Sequence, residues 1–383
     1  MLQMYKLLYI NVGNPAVSGA TTIVTELLSR LPMKGVKVDL IELLFKEDEG
    51  LLGRYPELNE KVNVIDIIRI PYSGNLAGRF IRYIYKNIIL KRKIGNLIDN
   101  YDFIIGINTA KSIRMLYLEP FITFPLYKHY LNLIRITNII DGTAWFIDSV
   151  KGLRESKRNK LNICLGSVLS KMVKTKYGIE CEALDPPGGV DPNLVKDVTP
   201  FPENFDAIHL ARQGFMKGTP EVIQIMKNLK KYGYKKFAII GGQDYGFDIN
   251  KYLDDKDIVY FGEILDKKRI YSILKSSKIF IYPTHVDSFG IVIAEALACG
   301  VPVIAYDLPA IRYYYGDCEA VKLVKEGDVE GMMSEALKII NNNEYYKSLA
   351  FKCISKYTWD KVAESFVQIL HKFKKEFSLE YQL

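Results

Sequence analysis

The feature that most limits what this chain can fold into is a regular alternation of short apolar runs with helix-periodic segments, broken once and then resumed. From Lys6, KLLYINV ends at Gly13-Asn14-Pro15 and Ser18-Gly19, and TTIVTELLSRL follows. This reads as strand, glycine-containing loop and helix. VKVDLIEL, VNVIDII, a helical stretch from Leu76 to about Asn100, DFIIGIN, TNIID and LNICLG continue the pattern. Between Asp185 and Pro202 the residues Pro186, Pro187, Gly188, Gly189, Pro192, Pro200 and Pro202 interrupt any regular element, as expected of a linker. Beyond it DAIHLA, KKFAIIGG, DIVYFG, KIFIYP, VPVIAY and AVKLV alternate again with helical segments. Such alternation implies parallel strands joined by right-handed crossovers and covered on both faces. The chain is therefore predicted to be α/β, with two Rossmann-like doubly wound domains. The first is expected over residues 1–190 and the second over 191–360. Residues 361–383 should continue a helix whose apolar Val362, Phe366, Ile369, Leu370 and Phe373 fall on one face and pack back on the first domain.

Composition agrees and excludes several classes. A chain of 383 residues suits about two domains. Apolar residues at 49% and charged residues at 25% are ordinary for a folded globular protein. No segment approaches the roughly 20 apolar residues that span a bilayer. The opening MLQMYKLLYINVG reads as a first strand, not a signal peptide, so a cytoplasmic protein is expected. Cys164, Cys181, Cys299, Cys318 and Cys353 are scattered and odd in number; they suggest neither a disulfide framework nor a zinc site and are expected to be small buried side chains. No metal site is expected. Fifty-two basic against 44 acidic residues give a net charge of +8, which suits an anionic ligand or surface. No nucleic-acid-binding signature accompanies it, and nucleic acid is not expected as a partner.

The most informative stretch is YPTHVDSFGIVIAEALACGVPVIAYD, residues 282–307. A strand end precedes a loop with Asp287, Ser288, Phe289 and Gly290, and a helix from about Ile291 carries Glu295. A helix start offers unpaired N–H groups and the positive end of the dipole, so a diphosphate can sit there. Asp287 and Glu295 flank seven residues and can face one mouth, one carboxylate toward sugar hydroxyls and the other toward a ribose diol. Taken alone, the pair reads equally as a helix cap and a solvated helix residue. In HLARQGFMKG, Arg212 and Lys217 lie five apart; alone they read as surface charges, and together with the 282–307 segment they read as cations facing the same anion.

These segments resemble glycosyltransferase family 4, the retaining GT-B enzymes, whose signature commonly reads EPFG, four more positions and then EAMACG.PV. Asp287-Ser288-Phe289-Gly290 and Glu295-Ala296-Leu297-Ala298-Cys299-Gly300-Val301-Pro302-Val303 occupy the corresponding positions, with Asp in place of the first Glu. The resemblance implies a GT-B fold, two domains facing each other across a cleft that holds a nucleoside diphosphate sugar as donor substrate, with no cofactor. It implies that Asp287 and the backbone of Phe289, Gly290 and Ile291 hold donor sugar and phosphate, that Glu295 holds the ribose, and that Arg212 and Lys217 stabilise the charge building on the leaving group. It further implies that Gly188-Gly189-Val190-Asp191 is the interdomain turn, that Ile264 meets the base, and that Gly19 brings a first-domain loop to the donor phosphate. Gly19 also reads as a simple structural turn, and the missing GxGxxG counts against a dinucleotide-dependent dehydrogenase.

Near the reacting carbon the residues are less distinctive. Asp141, in TNIIDG, and Asn108, after FIIGI, stand at first-domain strand ends, and Asp141 reads either as a group approaching the sugar or as a turn-forming Asp-Gly. His129 lies upstream of the strand, and His285 reads as a packing residue two positions before Asp287. Residues 79–93, RFIRYIYKNIILKRK, place Arg79, Arg82, Lys86 and Lys93 on one helical stripe with Phe80, Ile84 and Ile88 roughly opposite. The stripe is either a solvated face or a dock for an anionic membrane or a lipid-linked acceptor. The expected activity is metal-independent transfer of a hexose to a hydroxyl of a glycan or lipid-linked acceptor. A catalytically silent nucleotide-sugar binder or scaffold, or an epimerase or phosphorylase of the same architecture, are the alternatives.

Overall fold

The structure is a computed structural model in which residues 4–13, 18–70, 85–106, 111–116, 154–159, 161–244 and 246–380 are described. The strands of its first half are β1 (Tyr5–Val12), β2 (Val36–Phe45), β3 (Asn63–Ile70), β4 (Phe103–Ile105), β5 (Ser112–Leu116), β6 (Leu161–Leu165) and β7 (Glu182–Leu184). They form one sheet in the order β3-β2-β1-β4-β5-β6-β7, and every pairing is parallel. β8 (Ala207–Leu210), β9 (Phe237–Ile240), β10 (Ile258–Tyr260), β11 (Phe280–Tyr282), β12 (Val303–Tyr306) and β13 (Val321–Val324) form a second parallel sheet, ordered β10-β9-β8-β11-β12-β13. In both sheets the order reverses beside the first strand, which opens a crevice at the carboxyl ends of β1 and β4 in one and of β8 and β11 in the other. AIHL, FAII, FIY and VIAY are buried at every position, the pattern of central parallel strands covered on both faces.

The helices that position the site are α1 (Gly19–Arg30), α2 (Ser167–Tyr177), α3 (Thr219–Leu229), α4 (Lys267–Lys275), α5 (Ile291–Ala298), α6 (Pro309–Tyr315), α7 (Val329–Asn341), α8 (Asn343–Ile354) and α9 (Trp359–Glu380). α9 belongs to the first core: Trp359, Val362, Ala363, Phe366, Ile369, Leu370 and Phe373 are buried with residues of α1, β1, β6 and α2. Each such large side chain contributes roughly 1.5–3 kcal/mol, enough to keep the last helix on the first sheet. Two backbone crossings between the halves lie side by side. Val190 bridges Thr358, its N–H donating to Tyr357 O at 3.1 Å while Trp359 N–H donates back to Val190 O at 3.3 Å. A Cβ on Gly189 would stand 2.4 Å from the Thr358 carbonyl carbon, so only glycine lets these crossings touch.

Two expectations are corrected. Cys164 bonds Cys181 and Cys318 bonds Cys353, and only Cys299 is free among the cysteines. Spacing arithmetic misses them because each pair is made by tertiary proximity: the first joins β6 to the residue before β7, the second joins the segment after α6 to α8. The other concerns 79–93. Its residues 79–84 lie outside the described part, and Tyr85–Leu90 form a π turn running into the helix Lys91–Gly95. The wider turn breaks the α periodicity, so Leu90 and Ile94 are buried while Ile88 and Ile89, 62% and 41% exposed, point outward with Arg92 and Lys93.

Candidate active site

The loop after β11, residues 283–290, is held from both ends. Phe289 is buried, its ring centroid 5.0–5.5 Å from those of Tyr314, Tyr315 and Tyr357, and the Tyr315 hydroxyl donates to Gly290 O at 3.2 Å. Gly290 adopts φ +80 and a Cβ there would press on Ile293 at 2.9 Å, so glycine is required where the loop turns into α5. Asp287 closes the loop on itself: its Oδ1 accepts the N–H groups of Phe289 (3.0 Å) and Gly290 (2.7 Å). Its Oδ2 accepts from Lys217 Nζ at 3.0 Å and from the Tyr282 hydroxyl at 2.5 Å. Burial opposes ionisation of Asp287, but Lys217, Tyr282 and the Phe289 N–H outweigh it and hold the carboxyl below its usual range. Burial, reinforced by Asp287, drives the Tyr282 phenol well up. The expectation that Asp287 reaches into the cleft for sugar hydroxyls is thus modified, because the shorter acid spends both oxygens on its own loop and on Lys217.

Lys217 comes from the turn Phe215–Lys217 after β8. Besides Asp287, its ammonium donates to Val286 O at 2.8 Å and Tyr282 Oη at 3.4 Å. The following glycine explains the Lys-Gly pair: Gly218 has φ +68, and a Cβ would stand 2.1 Å from Pro283 O. The two loops therefore press together only with glycine between them. Arg212, just past β8, lies 3.5 Å from Asp244 Oδ1 and keeps its side chain 40% exposed. Burial raises the Asp244 pKa, and Arg212 and Lys217 pull it back.

Gly19 is the first residue of α1, not part of a preceding loop, and Ser18 is the N-cap, accepting from Thr21 N–H at 3.2 Å. A Cβ on Gly19 would lie 3.5 Å from Ile291 Cδ1, the first residue of α5. The positive ends of two helices, one from each half, therefore converge on one place, and no side chain caps α5. The linker's Gly188 packs beneath the same spot, where a Cβ would come within 2.8 Å of Phe289 and 2.9 Å of Ile291. Summed dipoles of this kind favour an anion.

Glu295 on α5 is buried, its side chain 3% exposed, and is not a solvated helix residue. Lys267 Nζ and the Tyr271 hydroxyl, one turn apart on α4, both donate to its Oε1. Ile264 is partly buried in the segment between β10 and α4. Across the cleft Glu26 of α1 is pushed up by burial and held back by Arg30 and Lys267. The Lys267 contact carries no sequence motif that would have found it. Asp141, Asn108 and His129 lie outside the described residues. His285 is engaged by two carboxylates: Nε2 meets Glu221 at 2.9 Å and Nδ1 meets Glu326 at 2.7 Å.

Residues 192–352 match the model of the family described as glycosyl transferases group 1. The chain carries a glycosyl transferases group 1 domain. Phosphatidyl-myo-inositol mannosyltransferase of Mycobacterium leprae is 29% identical over 29% of this chain and 31% of its own length. 2-Deoxystreptamine N-acetyl-D-glucosaminyltransferase of Niallia circulans is 25% identical over 83% of this chain and 78% of its own. The match thus spans about a third of the length of the first of these relatives and most of the second. The fold is that of sucrose-phosphate synthase from Thermosynechococcus elongatus, with TM-score 0.70, 14% identity and coverage of 96% of this chain and 99% of that one. The two doubly wound domains are those of the GT-B architecture. Arg212, Lys217, Asp287, Phe289, Gly290, Ile291, Glu295 and Ile264 all lie in the group 1 domain, and Gly19 faces it from the other half. No group of three or more metal-ligating side chains occurs among the described residues, and none of the described helices is long and apolar enough to cross a membrane.

Proposed function

We propose that this protein is a retaining, family 4-like glycosyltransferase that moves a hexose from a nucleoside diphosphate sugar to a hydroxyl of a glycan or lipid-linked acceptor. The observation that carries the reading is the convergence of the α1 and α5 amino ends on the cleft, beside Lys217 and Arg212. Breaking the glycosyl bond puts charge on the departing diphosphate. Fixed dipoles and cations aimed at that place stabilise the transition state without reorganising. Lys217 is aimed by three acceptors, so its position does not depend on a ligand. Arg212, more exposed, meets the outer oxygens. With this positive charge supplied by the protein, donor binding needs no divalent cation. Glu295 receives the ribose, and Ile264 borders the base.

Retention would follow from front-face attack, the acceptor hydroxyl passing its proton to the departing phosphate as the new bond forms. Asp141, which lies outside the described residues, remains a proposed approach to the sugar. Closure of the two halves about the 188–190 and 357–359 crossings would exclude water from the donor. The exposed Ile88 and Ile89 beside Arg92 and Lys93 support a peripheral contact with an anionic membrane face, on which a cytoplasmic protein would meet a lipid-linked acceptor. Disulfides are uncommon in mesophilic cytoplasm and frequent in that of hyperthermophiles; a cytoplasmic location goes with the latter.

The test is a thermal-shift screen against UDP-, GDP- and ADP-sugars with and without EDTA, repeated on Lys217→Ala and Glu295→Ala. A stabilising donor, indifferent to EDTA and lost in both variants, is expected. No shift with any nucleotide sugar overturns the reading.

A further inference from the structure

We propose that Lys267 and Tyr271 are positioning residues for the nucleotide ribose: together they hold one oxygen of Glu295 so that the other faces the cleft. The inference rests on the transferase reading above and deepens it. Lys267 opens α4, whose first turn is fixed by the N-cap Asp266 accepting from Lys268 N–H at 2.9 Å. Lys267 and Tyr271 are four residues apart and so share one helix face. Both donate to Glu295 Oε1, the lysine as an ion pair and the phenol at 3.4 Å. Among the described residues, no hydrogen bond is made to Oε2.

Glu295 needs such help because α5 is otherwise apolar: Ile293, Ala294, Ala296, Leu297 and Ala298 are all buried with it. A polar side chain buried among apolar neighbours needs hydrogen-bond partners to hold it there. Two donors on Oε1 fix the rotation of the carboxyl group and leave Oε2 as an acceptor for a diol. Lys267 is suited to this place because it is a third exposed, so its own desolvation is small. It also stands at the cleft mouth, since its charge is felt by Glu26 and Tyr55 of the facing half. The Tyr271 phenol is buried and driven well up by burial and by Glu295, so it stays a donor.

The experiment is calorimetric titration of the full chain with UDP, GDP and ADP and with their 2′,3′-dideoxy counterparts. The quantity read is the ratio of affinities, ribose over dideoxyribose. The wild type should prefer ribose by roughly tenfold to a hundredfold, the range for a hydrogen bond to a charged group. Glu295→Ala should bring the ratio near one. Lys267→Met should lower it to within about threefold of one, Tyr271→Phe should lower it less, and Lys267→Arg should restore it. A general loss of stability does not move this ratio, and the arginine variant separates charge from packing. If Lys267→Met keeps the wild-type ratio, or the wild-type ratio is itself near one, the positioning role is overturned while nucleotide binding stands. If the wild type binds none of the diphosphates, the transferase reading falls and this inference with it.

Discussion

Replacing His285 tests how the donor loop is held. The side chain is 13% exposed and bridges two carboxylates, Glu221 on α3 and Glu326 ahead of α7, while the backbone N–H of His285 donates to Met216 O at 2.9 Å. The imidazolium ties the 283–290 loop to α3 and to the segment ahead of α7, and the backbone N–H ties it to the turn that carries Lys217. Burial works against its charge, but hydrogen bonds to Glu221 and Glu326 outweigh it and raise the pKa from 6.5 to about 9. Because the folded value is the higher one, the stabilisation is complete below about pH 6.5 and is lost as pH rises through about 9. A shift of this size corresponds to about 3 kcal/mol, and partial solvent screening of the two carboxylates reduces it to about 2 kcal/mol. Tyr306, whose ring lies 5.3 Å from His285, is driven far up by burial, then by Glu221, Glu326 and Asp328, so it does not titrate in this window. Thermal unfolding of wild type and His285→Gln from pH 6 to 9.5 measures the effect. The gap between them is expected to narrow by roughly 4–8 °C as pH rises, at about 2–4 °C per kcal/mol for a domain of this size. Parallel profiles would refute the argument.

Three further outcomes are expected. Gly218→Ala should cost about 1–2 kcal/mol from its left-handed conformation alone; because Pro283 O blocks the new methyl, the Lys217 turn must move, and nucleotide affinity should drop with melting temperature. Arg212→Ala should weaken nucleotide diphosphate binding less than Lys217→Ala, since Arg212 is 40% exposed against 26% for Lys217; equal losses at several salt concentrations would contradict the ranking. Replacing both Cys318 and Cys353 by Ser should destabilise more than replacing Cys164 and Cys181, because the loops closed span 35 and 17 residues; chain entropy gives about 4 and about 3 kcal/mol, read by melting in the absence of reductant.

Alternating strand and helix segments were enough to read the two sheets, because central parallel strands must be apolar throughout and their connections must be helical. The apolar stripe of the last helix likewise announced a buried face, and Trp359 to Phe373 occupy it. Local pattern could not reach the partner of a side chain. Glu295 is one acid in an apolar helix, and its neighbour Lys267 lies 28 residues earlier, brought close only by the packing of α4 on α5. The cysteine pairs failed for the same reason. The π turn at Tyr85–Leu90 defeated a helical-wheel reading because one wider turn rotates everything beyond it. Asp287 was legible as an acid in the loop ahead of α5 but its engagement was not, because that depends on a side chain one methylene shorter than Glu.

That missing methylene has a consequence that can be measured. In Asp287 the carboxylate is close enough to its own backbone to accept from Phe289 and Gly290 N–H while its second oxygen holds Lys217. A glutamate would have to carry the same charge further out and could not keep both backbone bonds. Each bond to a charged acceptor is worth roughly 1.5–3 kcal/mol, but water in the cleft would recover most of it, so Asp287→Glu should lose about 1–2 kcal/mol. The released N–H groups and the longer acid would then both be available to a bound sugar. Asp287→Glu is therefore expected to melt lower than wild type yet to prefer a nucleotide sugar over the bare nucleotide more strongly. Asp287→Asn keeps the length but removes the counter-charge of Lys217, and should leave the sugar preference where it was. An unchanged melting temperature in the glutamate variant would mean that the loop does not depend on the Asp287 ring of hydrogen bonds, and the division between loop-holding and sugar-holding would have to be abandoned.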